Sequence, residues 1–289
     1  MADEITTTSA NDFVFDYWIL ASNILPHFYG LNVAEHLVRY ASVAGLPTKT
    51  HNFPTAPQLA AAGLTEGVDM ANSPYATGYV AITVAESGIR TEPTDVLNLS
   101  SIVGTDQYAR DMGQAMAAKR TSDILALAGG FSNQCGATTV NLTEANILAG
   151  TTALMARGVP GPYHGVLHPQ QYTDLAGSVS TTLTWIGSGS PSPRANTNDL
   201  GGMPTDGGLG ELYGVNWTVT SLVPTATAGA DRIGMIVNPN YAIGLVEKYP
   251  VRVEPQRDAS LRATEINITS MYGVGELKDA AGEGILSDA

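Results

Sequence analysis

The chain has 289 residues and a mass of 30.2 kDa, enough for one large domain or two modest ones around a sizeable buried core. Its 14 Lys and Arg stand against 27 Asp and Glu, a formal net charge of −13, which argues against nucleic-acid binding through a basic patch. A single cysteine, Cys135, excludes an internal disulfide, and a charged fraction of 14% against the roughly 25% usual in soluble domains implies that much of the surface is covered.

The first 12 residues are polar and open on acids, unlike a secretory signal, and the apolar run FVFDYWIL at 13–20 is short and holds Asp16. No membrane span is expected, and the chain is expected to be soluble and made inside the cell. Residues 33–43 read as a helical stretch. From Pro47 to Pro93 the texture changes to Pro, Gly, Thr and Ala. Within it, GYVAITVAESG (78–88) sets Tyr79, Ile82 and Val84 among small residues, as in a strand. The segment is expected to be a long excursion carrying a two-stranded hairpin, costly unless a neighbour supports it.

Thr105 to Ala128 predicts a long helix, with Met112, Met116, Ile124 and Leu127 near helical spacing, Arg110, Lys119, Arg120 and Asp123 on a polar side, and Gly129–Gly130 as the stop. A second helix is framed by Thr143 as N-cap and by Arg157, Gly158 and Pro160 at its end. GVLHP (165–169) predicts a buried strand feeding a helix whose first turn takes Pro169. Residues 187–210 read as a glycine-rich loop, and LYGVNWTVTSLV (212–223) and DRIGMIVNP (231–239) as strands. PNYAIGLVEKY (239–249) reads as a short helix, and 251–274 as a long hairpin turning at Asp258–Ser260. Strand runs and helices without strict alternation make the fold class α+β.

Chemical motifs are sparse. There is no Walker loop, no Gly-x-Ser-x-Gly elbow, and GSGSPS (187–192) lacks the third glycine of a dinucleotide turn. His164 and His168 are four apart, but Gly165 and Pro169 argue against the helix that would align them as metal ligands. Cys135 has no local base to make it a nucleophile, and a quietly buried thiol is the plainer reading. Asn198, Asp199, Asp206 and Glu211 supply oxygens for a hard cation at a spacing that matches no established loop. Lys49 is a lone cation in the excursion, read against a solvated tip lysine as an inter-subunit contact or, less readily, a crosslink. No catalytic residue, cofactor or metal is expected.

The order of elements carries more. A loose arm, a hairpin excursion, a spine-like helix, an α/β core with a glycine-rich loop and a returning charged hairpin resemble the major capsid protein of tailed bacteriophages, the Hong Kong 97-like fold. The similarity is strongest in VEPQRDASLRATEINITSMYGVGELKDAAGEGILSDA (253–289), HGVLHPQQYTDLAG (164–177) and GVNWTVTSLVP (214–224). The resemblance implies an N-terminal arm at 1–45, an E-loop at 46–94, a peripheral domain at 95–138 and 246–274 with the spine helix, and an axial domain at 139–245 and 275–289. It implies a non-enzymatic subunit that forms hexamers and pentamers of an icosahedral virion shell around double-stranded DNA, its acidic interior letting DNA slide. A separate scaffolding protein, a portal at one vertex and a possible cement protein are the partners it suggests. Tyr79, Ile82 and Val84 would be covered by an adjacent subunit. Arg252, Glu254, Arg257, Arg262 and Glu265 would pair with neighbours or stay solvated. The competing readings are an encapsulin-like compartment shell and a metal-dependent soluble hydrolase using 187–211; a decoration or tail-tube protein fits the long excursion poorly.

Overall fold

The computed structural model describes residues 34–55, 59, 61–70, 72, 74–75, 77–96, 105–185, 208–226 and 231–288. In chain order the strands are β1 (Arg39–Ser42), β2 (Thr50–Thr55), β3 (Gly78–Thr83), β4 (Ala85–Thr91), β5 (Gln134–Gly136), β6 (Tyr163–Leu167), β7 (Gly208–Leu212), β8 (Val215–Val219), β9 (Asp231–Val237), β10 (Ile243–Asp258), β11 (Ala263–Glu276) and β12 (Gly282–Asp288). The helices are α1 (Thr105–Leu125), α2 (Glu144–Ala156) and α3 (Pro169–Trp185). The class is α+β, and helices and strands do not alternate strictly.

Strands form a four-stranded sheet in the order β1-β10-β11-β4, a six-stranded sheet in the order β5-β12-β9-β6-β8-β7, and a separate β2-β3 ribbon. β10 and β11 make a hairpin of 16- and 14-residue strands whose register slips around Tyr249. At its far end Asp258 accepts from the backbone N–H groups of Ser260 (2.8 Å) and Leu261 (3.1 Å), closing the expected turn with its own side chain. The β7–β8 turn takes Tyr213 and Gly214 at φ of +56° and +75°, the left-handed pair that suits the twist of a two-residue hairpin.

α1 ties the two sheets together. At about 1.5 Å per residue its 21 residues span roughly 32 Å. Its N-terminal half lays Met112, Met116 and Ala117 on Val253, Ile266 and Ile268 of the long hairpin. Its C-terminal end, with Ile124, Leu125 and the 3-10 turn Ala126–Gly130, joins the core of the six-stranded sheet. There Phe131 crosses Gly282 so closely that an added Cβ would lie 2.2 Å from its ring, so only glycine fits. α2 and α3 cover the opposite face of that sheet's centre. Gly150 of α2 packs on Cys135 and Ile236, and Gln171 of α3, fully buried, donates to the Arg232 carbonyl (3.2 Å) and Ser287 Oγ (2.9 Å) while accepting from the His168 N–H (3.0 Å). With both faces covered, β9 and β12 read as nearly continuous buried runs.

Several sequence expectations are corrected. In the stretch 33–43, the described residues from Ala34 form a 3-10 turn at Glu35–Leu37 and then β1, parallel to β10. PNYAIGLVEKY is a turn followed by β10, because Ile243, Leu245 and Val246 are buried on both faces of a strand between β1 and β11. The glycine-rich loop also ends earlier than expected, since Gly208 already pairs as β7. α2 begins at the expected place, yet Thr143 makes no side-chain cap; the Glu144 N–H donates instead to Ser178 Oγ of α3 at 3.2 Å.

Candidate assembly surfaces

The β2-β3 ribbon stands on the four-stranded sheet through a small core of Val43, Phe53, Ile82, Val84 and Val246. Ile82 and Val84 are 5% and 3% exposed within the single chain. The expectation that an adjacent subunit covers them is therefore corrected: Phe53 of β2 and Val246 of β10 already do. Alternation explains the difference from Tyr79, which points away from that core and is 69% exposed. Beyond the ribbon's base, Leu64, Val68, Met70 and Tyr75 are also exposed. Lys49 is exposed at the ribbon's start, and its backbone carbonyl accepts from the Val84 N–H at 2.8 Å.

Four of the five candidate hairpin charges, Arg252, Glu254, Arg257 and Glu265, pair inside the chain. Arg252 meets Glu254 at 2.5 Å, both well exposed. Arg257 makes a two-pronged contact with Asp95, at 2.6 Å for each nitrogen. Glu265 takes Arg90 at 3.1 Å, and Asn267 donates to the same oxygen at 2.7 Å. Arg262 sits in the turn at φ +51°, its carbonyl accepting the Asp95 N–H. Its charge, after the Arg257 hydrogen bond and Arg257's own charge, helps hold the Asp95 carboxyl below the ordinary carboxylate range.

The residue that sequence reasoning misplaced is Arg120. Expected on the solvated side of α1, it is 1% exposed. It pairs with Glu247 of β10 at 2.6 Å and with Glu35 of the 3-10 turn at 3.0 Å, and its guanidinium lies 5.7 Å from the centre of the Tyr272 ring. Tyr40 of β1 donates to the other Glu247 oxygen at 3.0 Å, and Tyr272 of β11 donates to Asp123 at 2.7 Å. Burial, and then the neighbouring carboxylate, raise the pKa of both phenols. The node joins residues far apart in sequence, from the root of the N-terminal segment through α1 to the long hairpin. The signal was present: Arg120 lies four residues after Met116 and four before Ile124, on the buried stripe.

The chemical candidates do not converge. His164 lies on β6 with its ring 5.4 Å from that of His36, while His168 follows the strand and accepts the Gln170 N–H at Nδ1. Burial lowers the pKa of both. Cys135 is buried on β5, and burial followed by the Glu283 charge pushes its thiol up to about 12, far from a reactive thiolate. Asn198, Asp199 and Asp206 lie outside the described residues, and Glu211 is on β7 opposite Asn216. Among the described residues, no three His, Cys, Asp or Glu gather as a metal site. No helix among them is long and apolar enough to cross a membrane.

The fold itself is that of phage shells. It is similar to the capsid structure of Helicobacter pylori bacteriophage KHP30, with a TM-score of 0.67 at 15% identity over 89% of each chain. It is similar to the capsid of cyanophage Pam1, with a TM-score of 0.64 at 13% identity over 88% of this chain and 91% of that one. The virus-like particle from Pyrococcus furiosus gives a TM-score of 0.54 at 11% identity over 92% and 97%. No curated protein matches the sequence. Residues 105–282, more than half of the chain, match the model of a phage capsid protein family. The chain belongs to that family and is a structural protein of the virion shell.

Proposed function

We propose that this major capsid protein assembles as hexamers and pentamers into a closed icosahedral shell around phage double-stranded DNA, with the Hong Kong 97-like division of labour. The N-terminal arm is 1–45, the E-loop 46–94, the peripheral domain 95–138 with 246–274, and the axial domain 139–245 with 275–289. Family membership through 105–282 is the observation that carries the reading. Two features support the division. The β2-β3 ribbon is a separate pair packed on the four-stranded sheet, and it leads to exposed apolar side chains that an isolated soluble chain has no use for. β12 (Gly282–Asp288) pairs between β5 and β9 of the six-stranded sheet, which supports the return of 275–289 to the axial domain. β5 at 134–136 belongs to the same six-stranded sheet.

Self-association is the partner relation closest to the family; a separate scaffolding protein, a portal and a cement protein extend the proposal. A net charge of −13 lets enclosed DNA move without adhering. Expression with neighbouring genes, followed by sedimentation and negative-stain electron microscopy, should give uniform closed particles; assemblies of one to six subunits alone would refute the shell. Replacing 56–77 by a short turn, while keeping Ile82 and Val84, should abolish particles and leave a folded subunit. A compartment shell that holds protein cargo is the second reading, favoured by the likeness to the virus-like particle. Nucleic acid inside the particles separates it from the first.

A further inference from the structure

α2 has the composition of an interior helix. Its 13 residues, EANILAGTTALMA, hold one charge, Glu144, and a helix apolar on every side is ordinarily buried on every side. One face obeys: Ile147, Gly150, Thr151 and Leu154 lie against the six-stranded sheet. The other face is exposed, with Leu148 41% and Met155 58% exposed and Ala145, Ala149, Thr152 and Ala156 the helix's other exposed residues beside them. Charges at the helix ends do not shield it, because they turn back onto the chain. Glu144 accepts from the Tyr213 hydroxyl, and Arg157 at the C-cap pairs with Glu283.

Electrostatics selects what covers this face. Each copy carries −13, so copies meeting through ordinary surface would set carboxylate against carboxylate, a costly juxtaposition. From Ala145 to Ala156 the helix's own outward residues form a strip about 18 Å long that carries no ionised group, where a like-charged copy approaches with less of that penalty. We propose that the outward face of α2 is a contact surface for a second copy of this chain within the shell, an inference that rests on the shell reading above. In a ring of five or six copies it meets a different face of the next subunit, since rotational rings are built from head-to-tail contacts.

The test uses the full chain carrying Met155→Cys, assembled as above and treated with a maleimide. The native thiol of Cys135 is buried and poorly ionised, and the unsubstituted protein sets its baseline. The introduced thiol should react about tenfold or more slowly in closed particles than in unassembled subunits, as interface burial requires. Equal rates in the two states would overturn the assignment of this face while leaving the shell intact. An unsubstituted chain that forms no closed particles would instead overturn the shell reading, and this proposal with it. In parallel, Leu148→Glu with Met155→Glu should leave the melting of the free subunit unchanged and reduce particle yield about tenfold, because the introduced carboxylates restore the repulsion. Particles at the unsubstituted yield would also overturn it.

Discussion

The two ends of the long hairpin hold the same chemical pair in opposite surroundings. At the root, Arg120 meets Glu247 at 2.6 Å with side chains 1% and 9% exposed. At the tip, Arg257 meets Asp95 at 2.6 Å with side chains 49% and 33% exposed. Distance is equal, so environment decides the energetics. Water screens the tip pair and solvates either partner if the other is lost. At the root, each charge has given up its water, and losing one partner strands the other. The comparison implies that the root governs whether the subunit folds, while the tip is free to be re-used by whatever the shell places beside it.

Breaking the root should have the largest effect. Arg120→Ala leaves Glu247 buried without its cation and is expected to cost about 3–5 kcal/mol, read by urea denaturation of unassembled subunits with tryptophan fluorescence. Arg120→Met combined with Glu247→Leu should recover most of that loss, because an apolar pair of similar volume needs no solvation. If the double variant is as unstable as the single one, the node does more than neutralise itself.

A neutral buried network gives the intermediate case. Gln171 bridges α3 to β9 and β12 without carrying charge. Gln171→Ala strands the His168 N–H and the Ser287 hydroxyl and is expected to cost about 1–3 kcal/mol in the same assay. A loss as large as that at Arg120 would mean that burial matters more than charge, and would blunt the contrast between root and tip.

These sites also show which parts of the fold were legible. α1, α2, the β6–α3 step, β8 and the hairpin turn at Asp258 all announce themselves locally, through spacing, caps, Pro169 or a turn residue. β1 and β12 do not, because their strand character comes from partners more than 40 residues away in sequence: β1 beside β10, and β12 beside β9. Ile243–Glu247 failed as a helix for the same reason, its apolar run being equally good for either structure until both neighbours are known. The apolar residues of 78–84 were recognised, but which partner buries Ile82 is a tertiary fact. Charge was the hardest feature to read. Arg252, Glu254, Arg257 and Glu265 read equally well as neighbour contacts or as a solvated face and are paired within the chain, and the one cation that matters most, Arg120, looked solvated.

The smallest expected effect lies at the tip and shows itself through pH. The Arg257 hydrogen bond, with Arg257's and Arg262's charges, holds the Asp95 carboxyl below its ordinary range. A carboxyl depressed in the folded state adds stability above its unfolded value, about pH 4, and loses it as pH falls through the folded value. Arg257→Ala should therefore melt slightly below the unsubstituted subunit at pH 7, with the gap closing in acid. Asp174 on α3 has the opposite sign: burial, and then Asp288, raise its pKa, so its charge is a penalty at neutral pH that vanishes below the unfolded value. Asp174→Asn should thus melt slightly higher at pH 7 and no differently near pH 3. Melting curves of unassembled subunits at the two pH values check both. If Arg257→Ala instead opens a gap that persists in acid, the guanidinium is holding the hairpin through its contact with Thr264 at 3.4 Å, and the tip is structural in the way the root is.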